Sequence, residues 1–98
     1  MEVEFADEDY ERLEQDPQFT AGFSVAIVKA FRKRMWLIRQ AMDERDLYQM
    51  KGQHFEKLKG DRSHQRSMKL NDQWRLVLEL VEGNPGKKVR IVGIEDYH

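Results

Sequence analysis

The sequence closes with three residues that are capable of acid–base chemistry: Asp96, Tyr97 and His98. They directly follow an alternating run, Val89–Ile94, that is typical of a β-strand. Imidazole titrates near neutral pH, so His98 can serve as a general acid or base. Tyr97 can donate or accept a hydrogen bond and can stack on a base, and Asp96 can orient either neighbour. An acid–base cluster at the end of a strand predicts the edge of an active site.

Two earlier segments supply cations that could serve the same site. Lys59 and Arg62 lie in a glycine-containing segment, and Arg75 follows Trp74. RNA cleavage by transesterification needs a base for the 2′-hydroxyl, an acid for the leaving 5′-oxygen and cations for the phosphorane. Arginine suits phosphate because it can bind two oxygens at once. These residues could supply all three groups without a metal. The cations that could bind RNA or a ribosome are Lys57, Arg62 and Arg66.

Each of these residues also has a structural interpretation. Lysines and arginines in a glycine-containing segment commonly form a solvated turn. Trp74 has the spacing of a core residue, and Arg75, on the opposite face of the strand, has that of a surface charge. His54 and Glu56 would share a strand face, which is only a weak metal signal, and the three histidines lack ligand-like spacing. We therefore expect no metal and no cofactor.

Composition and charge limit the class of protein. The 98 residues suit one domain, residues 1–98, and contain no cysteine, which excludes disulfides and a cysteine nucleophile. Residues 1–18 hold eight acidic side chains and one arginine, so the remaining chain carries a net charge of +6 with 16 basic and ten acidic side chains. A basic body suits a polyanionic partner. The N-terminal residues do not resemble a signal peptide and no apolar span is present, so we expect a cytoplasmic protein without membrane contact.

The first half of the chain has the periodicity of helices. Residues Glu2–Phe5 alternate as a short strand, and Asp7 can cap a helix that runs to about Gln15. A second helix is expected from about Thr20 to Arg45, since apolar residues recur every three or four positions. The members of this stripe are Phe23, Ile27, Phe31, Met35, Ile38 and Met42. Trp36 lies off the stripe, and the pattern leaves open whether it borders the core or meets a partner.

The second half has the alternation of strands after Gly52. The expected strands are Phe55–Leu58, Ser67–Leu70, Trp74–Val81 and Lys87–Glu95. Asn71-Asp72 predicts a hairpin turn, and residues 82–86 predict a second turn. Strand, two helices and then a meander of strands indicate an α+β fold with helices on one face of an antiparallel sheet.

Three segments resemble the HigB branch of the RelE/ParE toxin superfamily, also called plasmid maintenance system killer proteins. They are Leu58–Arg62, Asn71–Arg75 and Asp96–His98, and the resemblance covers about residues 50–98. It implies two N-terminal helices on a twisted antiparallel sheet of three to five strands. It also implies a ribosome-dependent endoribonuclease that cuts mRNA in the ribosomal A site. A helix-turn-helix antitoxin of the HigA type would silence it and repress the shared operon, so operator DNA would be contacted only indirectly.

The resemblance assigns the catalytic work to matching positions. Lys59 matches the lysine of the family's Leu-Lys-Gly motif, Arg75 matches the arginine of its Trp-Arg pair, and residues 96–98 match its C-terminal triplet. One position departs from the pattern, because Glu56 stands where mRNA-cleaving relatives often have a histidine, with His54 two residues earlier. Glu56 could still act as a base, or it could weaken phosphate binding.

Two other functions remain open from the sequence. One is a ParE-like or degenerate toxin that acts by binding alone, for example by inhibiting a topoisomerase, and Glu56 slightly favours it. The other is a small RNA-binding module without catalysis. A basic body is consistent with such a module, but the surface aromatic pattern of a base-stacking platform is missing.

Overall fold

Five strands form one mixed sheet with helices on one face. The computed structural model describes residues 1–83 and 86–96. The strands are β1 (Val3–Phe5), β2 (Glu56–Lys57), β3 (Gln65–Lys69), β4 (Trp74–Glu82) and β5 (Lys87–Asp96), and their order in the sheet is β1-β5-β4-β3-β2. The helices are α1 (Glu8–Gln15), α2 (Val25–Gln40) and α3 (Glu44–Gln49), with a 3₁₀ turn at Gly60–Arg62. The predicted α+β fold is therefore confirmed.

Polar side chains fix where the helices begin. The Asp7 carboxylate accepts a hydrogen bond from the Asp9 N–H at 2.9 Å and starts α1, as the sequence predicts. The Ser24 hydroxyl accepts one from the Ile27 N–H at 3.3 Å and starts α2. Asp43 caps α3 through the Arg45 N–H at 2.9 Å. Each cap satisfies a donor that the first helical turn leaves without a partner.

The predicted helix from about Thr20 to Arg45 is wrong at both ends. Ala21 and Gly22 have φ of 51° and 82°, and this left-handed backbone keeps the chain out of a helix before Ser24. At the other end α2 stops at Gln40, and Asp43 begins the separate α3. Met42 falls between the two helices and is 87% exposed, so its place in the apolar stripe is also wrong.

The sheet departs from the antiparallel prediction at one pair of strands. β2, β3, β4 and β5 pair antiparallel in chain order, as the meander predicts, but β1 pairs parallel with β5. In the register Val3 lies opposite Val89 and Phe5 opposite Ile91. Alternation identifies a strand without giving its direction, so only the complete sheet shows that β1 joins the free edge of β5 in parallel.

The core lies between the helices and one face of the sheet. Fully buried side chains include Phe31 and Met35 from α2, Leu13 from α1, and Leu76 and Leu78 from β4. Side chains along a strand alternate between the two faces, so Ser67, Arg75, Glu79 and Arg90 lie on the other side of the sheet, which we call the polar face. Within the described part of the chain, no helix is long and apolar enough to cross a membrane.

Candidate active site

Arg75 is the centre of the candidate site and is buried on the polar face. The residue is 6% exposed, and the register places it opposite Lys69 on β3 and Glu95 on β5. The interpretation of Arg75 as a surface charge is therefore wrong. A buried guanidinium is stable only when its N–H groups find acceptors.

Two backbone carbonyls and one hydroxyl hold Arg75. Its Nε donates to the Ser67 Oγ at 2.9 Å, and its Nη2 donates to the carbonyls of His54, at 2.5 Å, and Ser67, at 3.5 Å. Ser67 is fully buried, whereas His54 is an exposed residue. His54 thus reaches the site through its backbone.

Glu56 balances the charge of Arg75 from the solvent side. Its Oε1 lies 3.0 Å from the Arg75 Nη2, with side-chain exposures of 54% for Glu56 and 7% for Arg75. The pairing of β2 with β3 places Glu56 opposite Ser67, which brings its carboxylate to the same face. Water reaches one partner of this ion pair and is excluded from the other.

Arg62 adds a second guanidinium at the same end of the polar face. It ends the 3₁₀ turn, where its Nη2 binds the Glu95 Oε2 at 2.8 Å and its Nε donates to the Gln65 Oε1 at 2.8 Å. The Glu95 carboxylate raises the pKa of Arg62 above its usual value. Because Glu95 lies opposite Arg75 in the register, this one acid links the neighbourhoods of both arginines.

Further polar contacts run along the face towards β1. Gln65 donates from Nε2 to the Glu79 Oε2 at 3.0 Å, and the Nη1 of Arg90 lies 3.5 Å from the Glu79 Oε1. The Nε2 of His64 lies 3.6 Å from the Oε2 of Glu79. Arg90 also binds Glu4 on β1, so the network joins four strands.

The C-terminal triplet is described only in part. Asp96 is exposed, lies opposite Trp74, and accepts a hydrogen bond from the Gln73 Nε2 at 3.1 Å. Successive strand residues point to opposite faces, so Glu95 and not Asp96 shares the face of Arg75. The predicted catalytic residues Tyr97 and His98 lie outside the described residues.

The remaining predicted cations lie on β2 and β3 or in the segment that joins them. Lys59 is exposed and immediately precedes the 3₁₀ turn that carries Arg62. Lys57 and Arg66 are opposite each other on β2 and β3, and strand alternation turns them away from the polar face. Arg66 donates to the Tyr48 hydroxyl at 3.0 Å, which places it beside α3.

Metal ligation has no visible basis in residues 1–83 and 86–96. These residues hold no group of three or more histidine, cysteine, aspartate or glutamate side chains that could bind a metal ion. His54 and Glu56, which the sequence suggests only weakly as metal ligands, both contact Arg75 instead. Arg75 donates to the backbone carbonyl of His54 and forms an ion pair with the carboxylate of Glu56.

A family model identifies the chain. The model describes a RelE-like toxin of the type II toxin-antitoxin system HigB, and it matches residues 3–90. The chain belongs to this family of HigB-like toxins. A type II toxin acts together with an antitoxin partner, and RelE-like toxins are generally ribonucleases. The match includes Lys59, Arg62 and Arg75 and stops before Asp96.

Solved structures show the same fold. A YoeB/ParE toxin from Agrobacterium tumefaciens superposes with a TM-score of 0.63 at 13% identity, covering 100% of both chains. A YoeB dimer from Staphylococcus aureus gives a TM-score of 0.59 at 21% identity, covering 100% of this chain and 97% of the other. At these identities the likeness establishes the fold alone. A comparison with curated proteins gives no match.

Two polar-face residues were not singled out by the sequence. Ser67 carries no motif, and its only signal is a small hydroxyl among the larger residues of a strand. Glu95 has the spacing of an ordinary strand residue, and it directly precedes the triplet Asp96–His98 that attracts attention in the sequence. Only the register of β3, β4 and β5 places both next to Arg75.

Proposed function

We propose that this HigB-like toxin is a ribosome-dependent endoribonuclease that cuts mRNA by metal-independent transesterification and thereby inhibits translation. The observation that carries the proposal is the pair of guanidiniums at one end of the polar face. Arg75 is held by hydrogen bonds to Ser67 and the His54 carbonyl, and Arg62 is bound to Glu95, which lies opposite Arg75 in the register. Two fixed cations separated by a carboxylate suit a phosphodiester whose charge increases in the transition state.

The proposed mechanism divides the proton transfers and the charge between a few residues. A base removes the 2′-hydroxyl proton, the 2′-oxygen attacks the adjacent phosphorus, and the bond from phosphorus to the 5′-oxygen breaks. His98 gives the leaving 5′-oxygen its proton, with Tyr97 and Asp96 orienting the imidazole or the base beside it. Lys59 and Arg75 stabilise the negative phosphorane. Glu56, beside Arg75, is available as the base.

Three cations are proposed to bind mRNA or the ribosome: Arg62, Lys57 and Arg66. Arg62 contributes to the mRNA path from the polar face, whereas Lys57 and Arg66 lie on the other side of β2 and β3, where they can meet ribosomal RNA phosphates. The proposed partners are thus the ribosome, its mRNA and a helix-turn-helix antitoxin of the HigA type. Operator DNA is reached only through that antitoxin, and the proposed location is the cytoplasm.

One observation favours a second candidate, a toxin that acts by binding alone. The Glu56 carboxylate already occupies Arg75, so a phosphate must displace it or share the guanidinium. A toxin with glutamate at position 56 could keep its fold and its ribosome-binding surface while it no longer cuts mRNA. The two candidates differ in whether mRNA is cut.

Lys59 gives the sharpest test of the nuclease proposal. Arg75→Ala would also remove buried hydrogen bonds, but Lys59 is exposed and its replacement leaves the core intact. We expect wild-type protein to cut a reporter mRNA on purified translating ribosomes, and Lys59→Ala to cut about 10²–10³-fold more slowly, as for loss of one charge-stabilising donor. Lys29→Ala, an exposed lysine on α2, is the matched control and should keep wild-type rates.

The same assay separates the outcomes. Cuts that need the ribosome, persist in EDTA, slow by the expected factor in Lys59→Ala and disappear in His98→Ala support the mechanism. Inhibition of translation by folded wild-type protein without any cut would overturn it and favour the binding-only toxin. Equal rates for Lys59→Ala and Lys29→Ala would remove Lys59 from the site.

A further inference from the structure

We infer that Ser67 and the backbone carbonyl of His54 are positioning residues for Arg75, fixing the guanidinium before RNA arrives. The inference rests on the proposed function and assigns two parts of the same site. Ser67 is fully buried on β3, and Arg75 is 6% exposed on β4. Neither position has room for bulk water, so their contacts have to be made within the protein.

The contacts define the plane of the guanidinium. The Arg75 Nε donates to the Ser67 Oγ at 2.9 Å, while Nη2 donates to the carbonyls of His54 and Ser67. Guanidinium N–H groups form a rigid planar fork, so acceptors on two of its nitrogens determine its rotation. A serine hydroxyl on the neighbouring strand therefore sets which edge of the arginine is directed to the solvent side.

The backbone at His54 supports this role. Its φ is 49°, a left-handed conformation that non-glycine residues adopt only at an energetic cost. That conformation aims the carbonyl at Nη2 and leaves an exposed residue outside. We therefore assign the role of His54 to its carbonyl and not to its imidazole.

A prepositioned cation is worth more to catalysis than a mobile one. A surface arginine must be ordered and desolvated when the phosphorane forms, whereas this one is ordered beforehand by buried acceptors. The Glu56 carboxylate, which is 54% exposed, forms an ion pair with Arg75 from the solvent side. RNA that displaces this carboxylate leaves the hydrogen bonds of Arg75 to Ser67 and to the His54 carbonyl in place.

The test replaces the hydroxyl and then restores it. Ser67→Ala removes the acceptor of Nε, so we expect the Arg75 Nε–H resonance to shift and to exchange faster with water. On translating ribosomes kcat should fall about 10²-fold with KM little changed, because a misplacement of about 1 Å has that effect. Ser67→Thr keeps a hydroxyl and should restore both the resonance and most of the rate. Val89→Ala, which also truncates a fully buried strand residue, controls for lost stability.

His54→Gly is the second variant. It keeps the carbonyl, tolerates the left-handed backbone and removes the imidazole. We expect the Arg75 Nε–H resonance of the wild type, because the carbonyl that binds Nη2 is retained. Loss of cleavage with an unchanged resonance would transfer the role of His54 to its ring and overturn that half of the inference.

The resonance separates this inference from the proposed function. Absence of mRNA cleavage by wild type would defeat the nuclease proposal, while Arg75 protection that disappears in Ser67→Ala would still support the positioning role. Wild-type protection or wild-type kcat in Ser67→Ala would overturn the role of Ser67. A loss of rate equal to that of Val89→Ala, without rescue by Ser67→Thr, would reduce Ser67 to a structural residue.

Discussion

At the scale of single residues, Glu56 is the ion-pair partner that covers the solvent side of Arg75. In the proposed mechanism, an incoming phosphate therefore competes with Glu56 for the same guanidinium. The exposed position of the carboxylate weakens the pair, since exposed ion pairs are screened by solvent. The proposed mechanism thus gives Glu56 two roles, as a competitor for the substrate phosphate and as the candidate base.

Glu56→Gln distinguishes these two roles. The amide keeps the size of the side chain and removes the competing charge, so we expect binding to ribosomes carrying a 2′-deoxy-substituted mRNA to tighten about two- to fivefold. Affinity and single-turnover cleavage would be measured together, with Glu44→Gln, an acid paired with the remote Lys87, as the control. Unchanged affinity combined with a collapsed cleavage rate would contradict competition and identify Glu56 as the base.

At the scale of elements, a β-bulge fits α1 onto the sheet. The register of β4 against β5 shifts between Val77 and Leu78, where Gly93 and Ile91 are the partners and Val92 is extra. Next to it, the Ile94 N–H donates to the Tyr10 hydroxyl at 3.1 Å. A Cβ at Gly93 would lie 2.9 Å from that hydroxyl oxygen, so only glycine permits α1 to approach β5 this closely.

Gly93→Ala tests this fit. Overpacking against the Tyr10 ring should lower the free energy of unfolding by about 1–3 kcal/mol, measured by urea denaturation. Because the shortest contact is with the hydroxyl oxygen, Tyr10→Phe combined with Gly93→Ala should lose less stability than the two single changes predict by addition. Additive losses would show that the ring carbons and not the hydroxyl set the distance.

The elements also show what the sequence could and could not predict. Strand alternation and the Asn71-Asp72 turn correctly predict the β3–β4 hairpin, and the Asp7 cap predicts α1. The apolar stripe extends the second helix too far, because periodicity does not register the left-handed backbone at Ala21 or the cap at Asp43. Within the site, alternation correctly places the side chains of Arg75 and Trp74 on different faces of β4. It cannot show that Arg75 is buried, because the burial of Arg75 depends on Ser67 from another strand.

At the scale of the whole molecule, the acidic N-terminal segment is bound to the basic body. Glu4 on β1 binds Arg90 and Lys88 of β5, with the Lys88 Nζ at 2.7 Å. Farther along, the Glu14 carboxylate accepts two hydrogen bonds from Arg39 of α2, at 2.7 and 2.8 Å. Part of the charge asymmetry between the two parts of the chain is therefore compensated within the fold, through Glu4 and Glu14.

This compensation makes stability depend on pH through Glu4. Hydrogen bonds from Lys88 and Arg90 hold the pKa of Glu4 below its ordinary value, and Glu79 is the other acid facing Arg90. A carboxylate with a lowered pKa in the folded state stabilises the fold above its unfolded pKa, roughly 4.3, and this contribution is lost as the pH falls through the lower folded value.

Glu4→Gln should therefore unfold at a lower urea concentration than wild type at pH 7. The difference should shrink towards zero below the folded pKa of Glu4, whereas Glu2→Gln, an exposed residue beside β1, should match wild type throughout. A gap between Glu4→Gln and wild type that persists in acid would mean that Glu4 stabilises the edge strand by packing and not by its charge.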